Sequence, residues 1–408
     1  MVVLVINCGS SSLKYELFDD DKSVASGLAD RVGLNGGTDA VLSHSYGGGR
    51  ERQWQRPMPD HTAAFGHVIA TLTDPECGVL RSLDEIDAVG HRVVHGGERF
   101  TEAVLIDDTV LAAIADFCEL APLHNPPNLE GIRACQQHLP GVPMVAVFDT
   151  AFHQTMPDYA FIYGLPYEMY QQHRIRRYGF HGTSHRYVAH QAGEFLAARG
   201  LPAGEQKIVT CHLGNGASVA AVAAGRSVDC SLGFTPLEGL LMGTRSGDLD
   251  PAIPLHLIRE LGMDADEVDA LLNKQSGLLG VSGVGSDMRD VTQAAAQGHE
   301  RARLAVAIFC YRVRKYIGAY AAAMGGVNAV VFTAGIGENA AGIREQCVRG
   351  LEFLGLYLDP ERNNDLRRED TVAVISTADS PGYLLVIPTD EELMIAQDTA
   401  RVVGAPRL

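Results

Sequence analysis

The segment Asn7-Cys8-Gly9-Ser10-Ser11-Ser12-Leu13-Lys14 gathers backbone N–H groups, three hydroxyls and one ammonium in a tight turn. It lies between an apolar, β-branched run at 2–6 and a second run at 15–18, so it reads as the turn of a hairpin. Such a turn offers a nucleotide phosphate what it needs, with Ser10, Ser12 and Lys14 as candidate contacts. The pattern returns half a chain later: a run at 208–211, then His212-Leu213-Gly214-Asn215-Gly216, then a run from Ala217. Asn7 and His212 align in the two copies, and a further turn follows each, at 20–23 and 224–227. The repeat predicts two similar lobes, each with one phosphate-contacting hairpin. A third glycine loop, Gly335-Ile336-Gly337-Glu338-Asn339, follows the buried run 329–333 and opens a helix, where backbone can approach a ligand closely. It is not the dinucleotide fingerprint, and with no Gly-Lys pair in the chain, phosphate handling of the P-loop kind is excluded.

The elements that must position these turns alternate. Strand patterns fall at 2–6, 13–18, 86–90, 143–148, 207–211, 217–223, 329–333 and 383–387. Helical patterns fall at 61–72, 127–138, 185–199, 252–272, 299–323 and 390–403, so the class is α/β. A length of 408 residues exceeds one ordinary core and predicts two lobes. The net charge of −17 argues against nucleic acid or an anionic membrane as partner. It also means that an anionic substrate must be met by locally gathered cations. The apolar start is too short for a signal peptide. The uncharged stretch 316–337 imitates a membrane span, but Gly325-Gly326 and Asn328 make it the end of a helix, a turn and a buried strand. Eight cysteines without a C-x-x-C pair imply neither zinc nor disulfides, and reduced thiols predict a cytoplasmic location.

Six motifs then make a family recognisable. They are the opening Asn7–Lys14 turn, Gly90-His91-Arg92-Val93-Val94-His95-Gly96-Gly97, Phe148-Asp149-Thr150-Ala151-Phe152-His153, Gly179-Phe180-His181-Gly182-Thr183-Ser184-His185, Met242-Gly243-Thr244-Arg245-Ser246-Gly247-Asp248, and Thr333-Ala334-Gly335-Ile336-Gly337-Glu338-Asn339. In this order, and reaching to Thr389-Asp390-Glu391-Glu392, the chain resembles the acetate kinase family. The resemblance implies two duplicated lobes of the actin, Hsp70 and sugar-kinase type, each with a ribonuclease H-like core, and a cleft between them. It implies an N-terminal lobe over 1–150 with a C-terminal helix at about 386–408 packing back on it, and a nucleotide-binding lobe over 151–385. The reaction implied is reversible, Mg²⁺-dependent transfer of the ATP γ-phosphoryl group to acetate, giving acetyl phosphate and ADP, with Mn²⁺ able to stand in and a homodimer as the working form. Two departures stand out: the stretch between Phe18 and Ile86 has little motif content, and Met288 occupies a position where the family often carries an aromatic.

The chemistry explains why such residues are wanted. A carboxylate and a triphosphate repel by about 4 kcal/mol per charge pair at ~4 Å and an effective dielectric of ~20. Arginine answers both anions as a permanently charged fork. An arginine ordinarily ends in a surface salt bridge; the resemblance makes Arg92 and Arg245 catalytic, with His181 on the transferring phosphoryl oxygens and His124 a lesser candidate on the substrate side. The acceptor is already ionised at neutral pH, so no general base is needed. Asp149 is therefore expected at the metal, with Asn7 and Glu391. Val94, Leu123, Phe180 and Pro236, with Arg92, are expected to bind acetate. Ser10, Ser12, Lys14 and the turn from His212 through Leu213, Gly214 and Asn215 to Gly216 are expected on the phosphates. Asp287, Met288 and Arg289, with Gly335, Ile336, Gly337, Glu338 and Asn339, are expected along the adenosine. The alternatives are a propionate or butyrate kinase of the same family, or a non-catalytic ATP-gated protein of the actin or Hsp70 type.

Overall fold

A computed structural model describes residues 1–122, 124–366 and 371–404. The chain divides into two compact units, one formed by Met1–Phe152 with Asp390–Leu408 and the other by His153–Thr389.

The first unit is built on an eight-stranded sheet of β1 (Val2–Gly9), β2 (Ser12–Asp19), β3 (Lys22–Asp30), β4 (Val41–Tyr46), β5 (Arg50–Gln55), β6 (Ala88–Val93), β7 (Val104–Leu105) and β8 (Met144–Phe148). Their order is β5-β4-β3-β2-β1-β6-β8-β7. Strands β1 to β5 form an antiparallel meander, while β1, β6 and β8 are parallel. The period of two along β1 sorts its side chains to opposite faces. Leu4, Ile6 and Cys8 join a core with Phe65, Val68 and Leu72 of the helix His61–Leu72 and Cys135 of the helix Asn125–His138. Val3 and Val5 join another with Ile395 and Ala396 of the helix Glu391–Val403. That last helix starts at Asp390, whose carboxylate accepts from the Leu393 N–H at 2.9 Å, a cap worth ~1 kcal/mol. It can lie close on β6 because residue 90 is glycine: a Cβ there would meet Thr399 and Ile395.

The second unit repeats the plan. Its sheet holds β9 (Lys207–Leu213), β10 (Ala217–Ala223), β11 (Arg226–Cys230), β12 (Ala329–Thr333), β13 (Ala373–Val374) and β14 (Tyr383–Val386), in the order β11-β10-β9-β12-β14-β13. Strands β9, β10 and β11 are antiparallel, and β9, β12 and β14 are parallel. The order third-second-first-fourth-fifth is thus common to β1, β2, β3, β6, β8 and to β9, β10, β11, β12, β14. This is the duplicated α/β plan that the repeated hairpin implies.

The motif-poor stretch after Phe18, for which the sequence offers no strand pattern, contains β3, β4 and β5, which extend the meander. One expectation needs correction. The helix expected over 252–272 is two, Ala252–Leu261 and Ala265–Lys274, because Gly262 takes a left-handed conformation (φ 72°) that ends the first. The uncharged stretch 316–337 is the end of the helix Glu300–Met324, a left-handed Gly325 and strand β12. No helix among the described residues is long and apolar enough to cross a membrane.

Candidate active site

In the first unit, neighbouring parallel strands bring a cation and an acid together. Arg92 on β6 lies in register with Val147 on β8, and Asp149 directly follows β8. Arg92 Nε donates to Asp149 Oδ1 at 3.2 Å and Nη2 to Oδ2 at 2.5 Å, while Nη1 donates to Asn7 Oδ1 at 3.2 Å. Asp149 is 1% exposed, so the pair is largely desolvated. Burial works against the Arg92 charge, but Asp149 and then Glu391 hold its pKa above the usual value. Glu391 opens the C-terminal helix. Burial pushes its carboxyl up to about 7; Arg92 pulls it down, and Asp149 and Glu392 push it up again. Lys14 Nζ lies 2.5 Å from Glu392 Oε1. Three acids (Asp149, Glu391, Glu392) thus face two cations (Arg92, Lys14), with the Asn7 amide oxygen among them. A set of oxygen donors with excess negative charge fits a hard divalent cation such as Mg²⁺.

The turns in this unit are held from behind. Asn128 donates Nδ2–H to the Cys8 carbonyl at 2.8 Å and accepts from the Val94 N–H at 3.0 Å, tying the Gly9–Ser11 turn to the end of β6. One helical turn earlier, Asn125 accepts from the His95 N–H at 3.1 Å and donates to the His95 carbonyl at 3.0 Å. His61 donates Nε2–H to the Gly9 carbonyl at 2.8 Å. Sequence reasoning missed Asn125, Asn128 and His61. Asn125 and Asn128 stand three apart on one helix face, a spacing that is a signal only once their targets are known.

In the second unit, the turn from His212 to Gly216 is closed by a Gly214 N–H to Gly216 carbonyl bond of 3.0 Å. His181 stacks on His212 with ring centroids 4.3 Å apart. It caps the helix Gly182–Ala197 with a positive φ of 56°, a conformation that costs a non-glycine residue ~1 kcal/mol or more and clusters at functional sites. A Cβ at Gly216 would stand 3.4 Å from His181 Nε2 and 3.9 Å from Arg245 Nη1, so both donors border the same glycine. Arg245 donates to the Pro236 carbonyl at 3.2 Å and has no carboxylate partner among the described residues; burial lowers its pKa. Pro236 belongs to a loop clamped by Tyr163, whose hydroxyl accepts from the Phe234 N–H at 2.9 Å and donates to Glu238, itself paired with Arg177 at 2.6 Å.

The third glycine segment is a short helix, Ala334–Asn339, entered through a left-handed Ala334. Glu338 turns its carboxylate back on the segment, accepting from the Ala334 N–H at 2.8 Å and the Thr389 N–H at 3.2 Å. Arg344, 1% exposed and also missed, donates to the Gly337 and Glu338 carbonyls at 2.9 Å each and to Asn363. Asp287 caps the helix Met288–Ala296 and pairs with Arg289 at 2.6 Å, while Met288 is buried. Of the apolar candidates, Val94 and Phe180 are buried and Pro236 is half-buried; Leu123 lies outside the described residues. His153, His185 and Cys230 also come together, within 4.8 Å. The four ring nitrogens are already engaged by Ser227, the Phe180 carbonyl, Thr210 and Ser218, so this cluster is a hydrogen-bonded core network.

Two α/β units on one plan, each with a glycine hairpin and an arginine in it, suit an enzyme that transfers a phosphoryl group, where charge must be met by gathered cations and backbone donors. Residues 2–397 match the model of the acetokinase family, and the chain belongs to that family, whose members transfer phosphate to a carboxylate. It is 58% identical to an acetate kinase of Caldanaerobacter subterraneus subsp. tengcongensis over 99% of both chains, and 56% identical to one of Thermoanaerobacter pseudethanolicus over the same share. Among solved structures it resembles acetate kinase from Porphyromonas gingivalis (TM-score 0.92, 47% identity, 99% of this chain and 100% of that one). It also resembles a propionate kinase from Francisella tularensis (TM-score 0.90, 42% identity, 98% and 99%).

Proposed function

We propose that the chain transfers the γ-phosphoryl group of ATP reversibly and directly to the carboxylate of acetate, giving acetyl phosphate and ADP. The observation that carries this reading is Arg245, a half-buried guanidinium with no acidic partner among the described residues, beside Gly216 and His181. A cation kept without a counter-ion favours an arriving anion, and more so where water is thinned.

Arg92 is the candidate cation for the acceptor. Asp149 and Asn7 use three of its five N–H bonds and so fix the plane of the guanidinium; the remaining two are available to the acceptor carboxylate. The acetate oxygen attacks phosphorus, the bond from phosphorus to the β–γ bridging oxygen breaks, and ADP leaves with that electron pair. Arg245 and His181 stabilise the charge on the equatorial oxygens in transit. Asn7, Asp149 and Glu391 would hold Mg²⁺, or Mn²⁺, which when bound neutralises phosphate charge. Ser10, Ser12, Lys14 and the His212–Gly216 turn bind the phosphates. Asp287, Met288, Arg289 and the segment Ala334–Asn339 border the nucleoside.

By the family's pattern, Val94, Leu123, Phe180 and Pro236 are the candidates that set the size of the acceptor's apolar group. One methylene is worth roughly 1–3 kcal/mol in such a pocket, so propionate is the second reading, favoured by the likeness to the Francisella tularensis propionate kinase. Acyl-hydroxamate formation from ATP, Mg²⁺ and hydroxylamine across acetate, propionate and butyrate tests both. Acetate is expected to give the highest kcat/KM; no hydroxamate with any of the three acids would remove the reading.

The chain works in the cytoplasm as a homodimer. The helix Ala252–Leu261 exposes Ile253, Leu255, Ile258 and Leu261, a larger apolar face than a lone helix leaves to water. Sedimentation of an Ile253→Asp, Ile258→Asp variant tests this, with a monomer expected.

A further inference from the structure

Behind His181 runs a line of buried polar side chains that the reaction itself does not use. Ser218 Oγ lies 2.8 Å from His181 Nδ1 and 2.7 Å from His185 Nε2, and His185 Nδ1 lies 2.7 Å from Thr210 Oγ1. Ser218, His185 and Thr210 are all fully buried. Thr210 sits on β9 and Ser218 on β10, where Ser218 pairs with His212. The backbone therefore fixes the spacing of the line.

Proton counting gives the line a direction. Burial drives the His185 pKa well below its usual value, so His185 is neutral and carries one N–H. Ser218 has one proton, and its hydroxyl oxygen is bonded among the described residues to the two imidazoles; accepting from both would leave that buried proton unmet, so it donates to one and accepts from the other. In one polarity Thr210 donates to His185 Nδ1, His185 Nε2–H donates to Ser218, and Ser218 donates to His181 Nδ1. The Thr210, His185 and Ser218 protons then each have an acceptor within the line. In the reverse polarity His181 Nδ1–H donates to Ser218, Ser218 to His185 Nε2, and His185 Nδ1–H to Thr210. The Thr210 hydroxyl proton is then left buried with no acceptor, since His185 is its sole hydrogen-bond partner among the described residues. An unmet buried donor is costly enough to decide between the two.

We propose that Thr210, His185 and Ser218 are positioning residues that lock His181 as the Nε2–H tautomer, with its donor on the side of Gly216. The inference rests on the proposed role of His181 at the phosphoryl group and says how that role is enforced. A neutral imidazole with Nδ1 lone pair engaged presents a hydrogen-bond donor at Nε2; the other tautomer would present a lone pair to an anion and repel it. The strained backbone at His181 and its stacking on His212 fix the ring, and the line behind it fixes the proton.

The test is two-bond ¹H–¹⁵N spectroscopy of the full chain labelled at histidine nitrogen, with His181 assigned by the signals missing in His181→Gln. Wild type is expected to show a protonated Nε2 and an unprotonated Nδ1 at His181; protonation on Nδ1 would overturn the proposal without any variant having to fold. Ser218→Ala and the near-isosteric Thr210→Val are expected to mix the two tautomers and to lower kcat by about tenfold while KM for ATP and acetate stays within about twofold. Thr210→Ser, which keeps the hydroxyl, is expected to retain both the tautomer and the rate. An unchanged tautomer and unchanged kcat in Ser218→Ala, with His181→Gln slow, would remove the relay and leave the role of His181 standing. A His181→Gln enzyme as fast as wild type would instead remove that role, and the relay's purpose with it.

Discussion

Arg92 and Asp149 meet at two points, Nε to Oδ1 at 3.2 Å and Nη2 to Oδ2 at 2.5 Å, at the ends of adjacent parallel strands. The geometry is a fork on a carboxylate, and only a planar guanidinium can make it. Arg92→Lys is therefore expected to behave like Arg92→Ala, each lowering kcat by on the order of 10² or more in the hydroxamate assay. Asp149→Asn keeps the shape but removes the charge. It is expected to lower kcat comparably and to raise the Mg²⁺ concentration for half-maximal rate. A lysine variant with near-normal turnover would show that a point charge suffices.

Arg245 differs from Arg92 in having no acidic partner among the described residues. Its removal deletes a desolvated charge and strands one neutral acceptor, the Pro236 carbonyl, but no charged partner, so Arg245→Ala is expected to keep the wild-type Tm within a few degrees while kcat falls by on the order of 10² or more. Because the defect is a missing cation beside a glycine, added guanidinium at tens of millimolar is expected to restore part of the rate. A Tm loss matching the activity loss would make Arg245 a structural residue instead.

What could be read from the chain divides along physical lines. Strands buried on both faces, such as Val2–Gly9 and Ala329–Thr333, announce themselves as apolar runs, and so the parallel core of each sheet was visible. Strand Arg50–Gln55, with five of its six side chains exposed, carries no such run, and the outer part of the meander, β3 to β5, was not. Apolar continuity also hid the break at Gly262, whose left-handed backbone rather than hydropathy ends the helix. The turns at 7–14 and 212–216 were legible because small residues and hydroxyls concentrate there. The residues that hold them, Asn128 and His61, were not, because an amide within a helix looks solvated until the Cys8 carbonyl and the Val94 N–H are placed against it.

Arg344 supports the segment after β12 in the same hidden way. Its guanidinium satisfies the Gly337 and Glu338 carbonyls and both the side chain and carbonyl of Asn363, and burial lowers its pKa to about 10. Arg344→Met leaves these acceptors buried and unmet, which is expected to cost about 2–4 kcal/mol. Tm is expected to drop by several degrees, and KM for ATP to rise more than KM for acetate. Equal rises in both would mean that the segment serves the whole fold and has no special bearing on the nucleotide.

Acid should weaken the fold through its buried imidazoles. His91 on β6 is 2% exposed, its Nε2 has no protein partner among the described residues, and burial lowers its pKa to about 3. His44, whose Nε2–H donates to the Cys77 carbonyl while Nδ1 accepts from the Tyr15 hydroxyl, and His185 are lowered by burial as well. Below about 6.5 the unfolded chain binds protons that these folded histidines refuse, so stability falls with pH by up to about 1.4 kcal/mol per unit for each. For His91 the loss continues until its folded pKa, near 3, is reached. The raised carboxyl of Glu391 acts in the opposite sense between 4.5 and about 7, where the folded protein holds a proton that the unfolded chain has released. Burial raises the carboxyls of Glu16, Asp229 and Asp390 in the same sense as Glu391, but the deep lowering of His91 and His185, with His44 beside them, predicts a net loss of Tm from pH 7 to pH 5. His91→Met removes one of the three along with an unmet nitrogen. It is expected to match wild type within about 1 kcal/mol at pH 7 and to exceed it by roughly 1–2 kcal/mol at pH 5. Denaturant unfolding at the two pH values measures both, and a variant no more stable than wild type at pH 5 would show that His91 accepts its proton without unfolding.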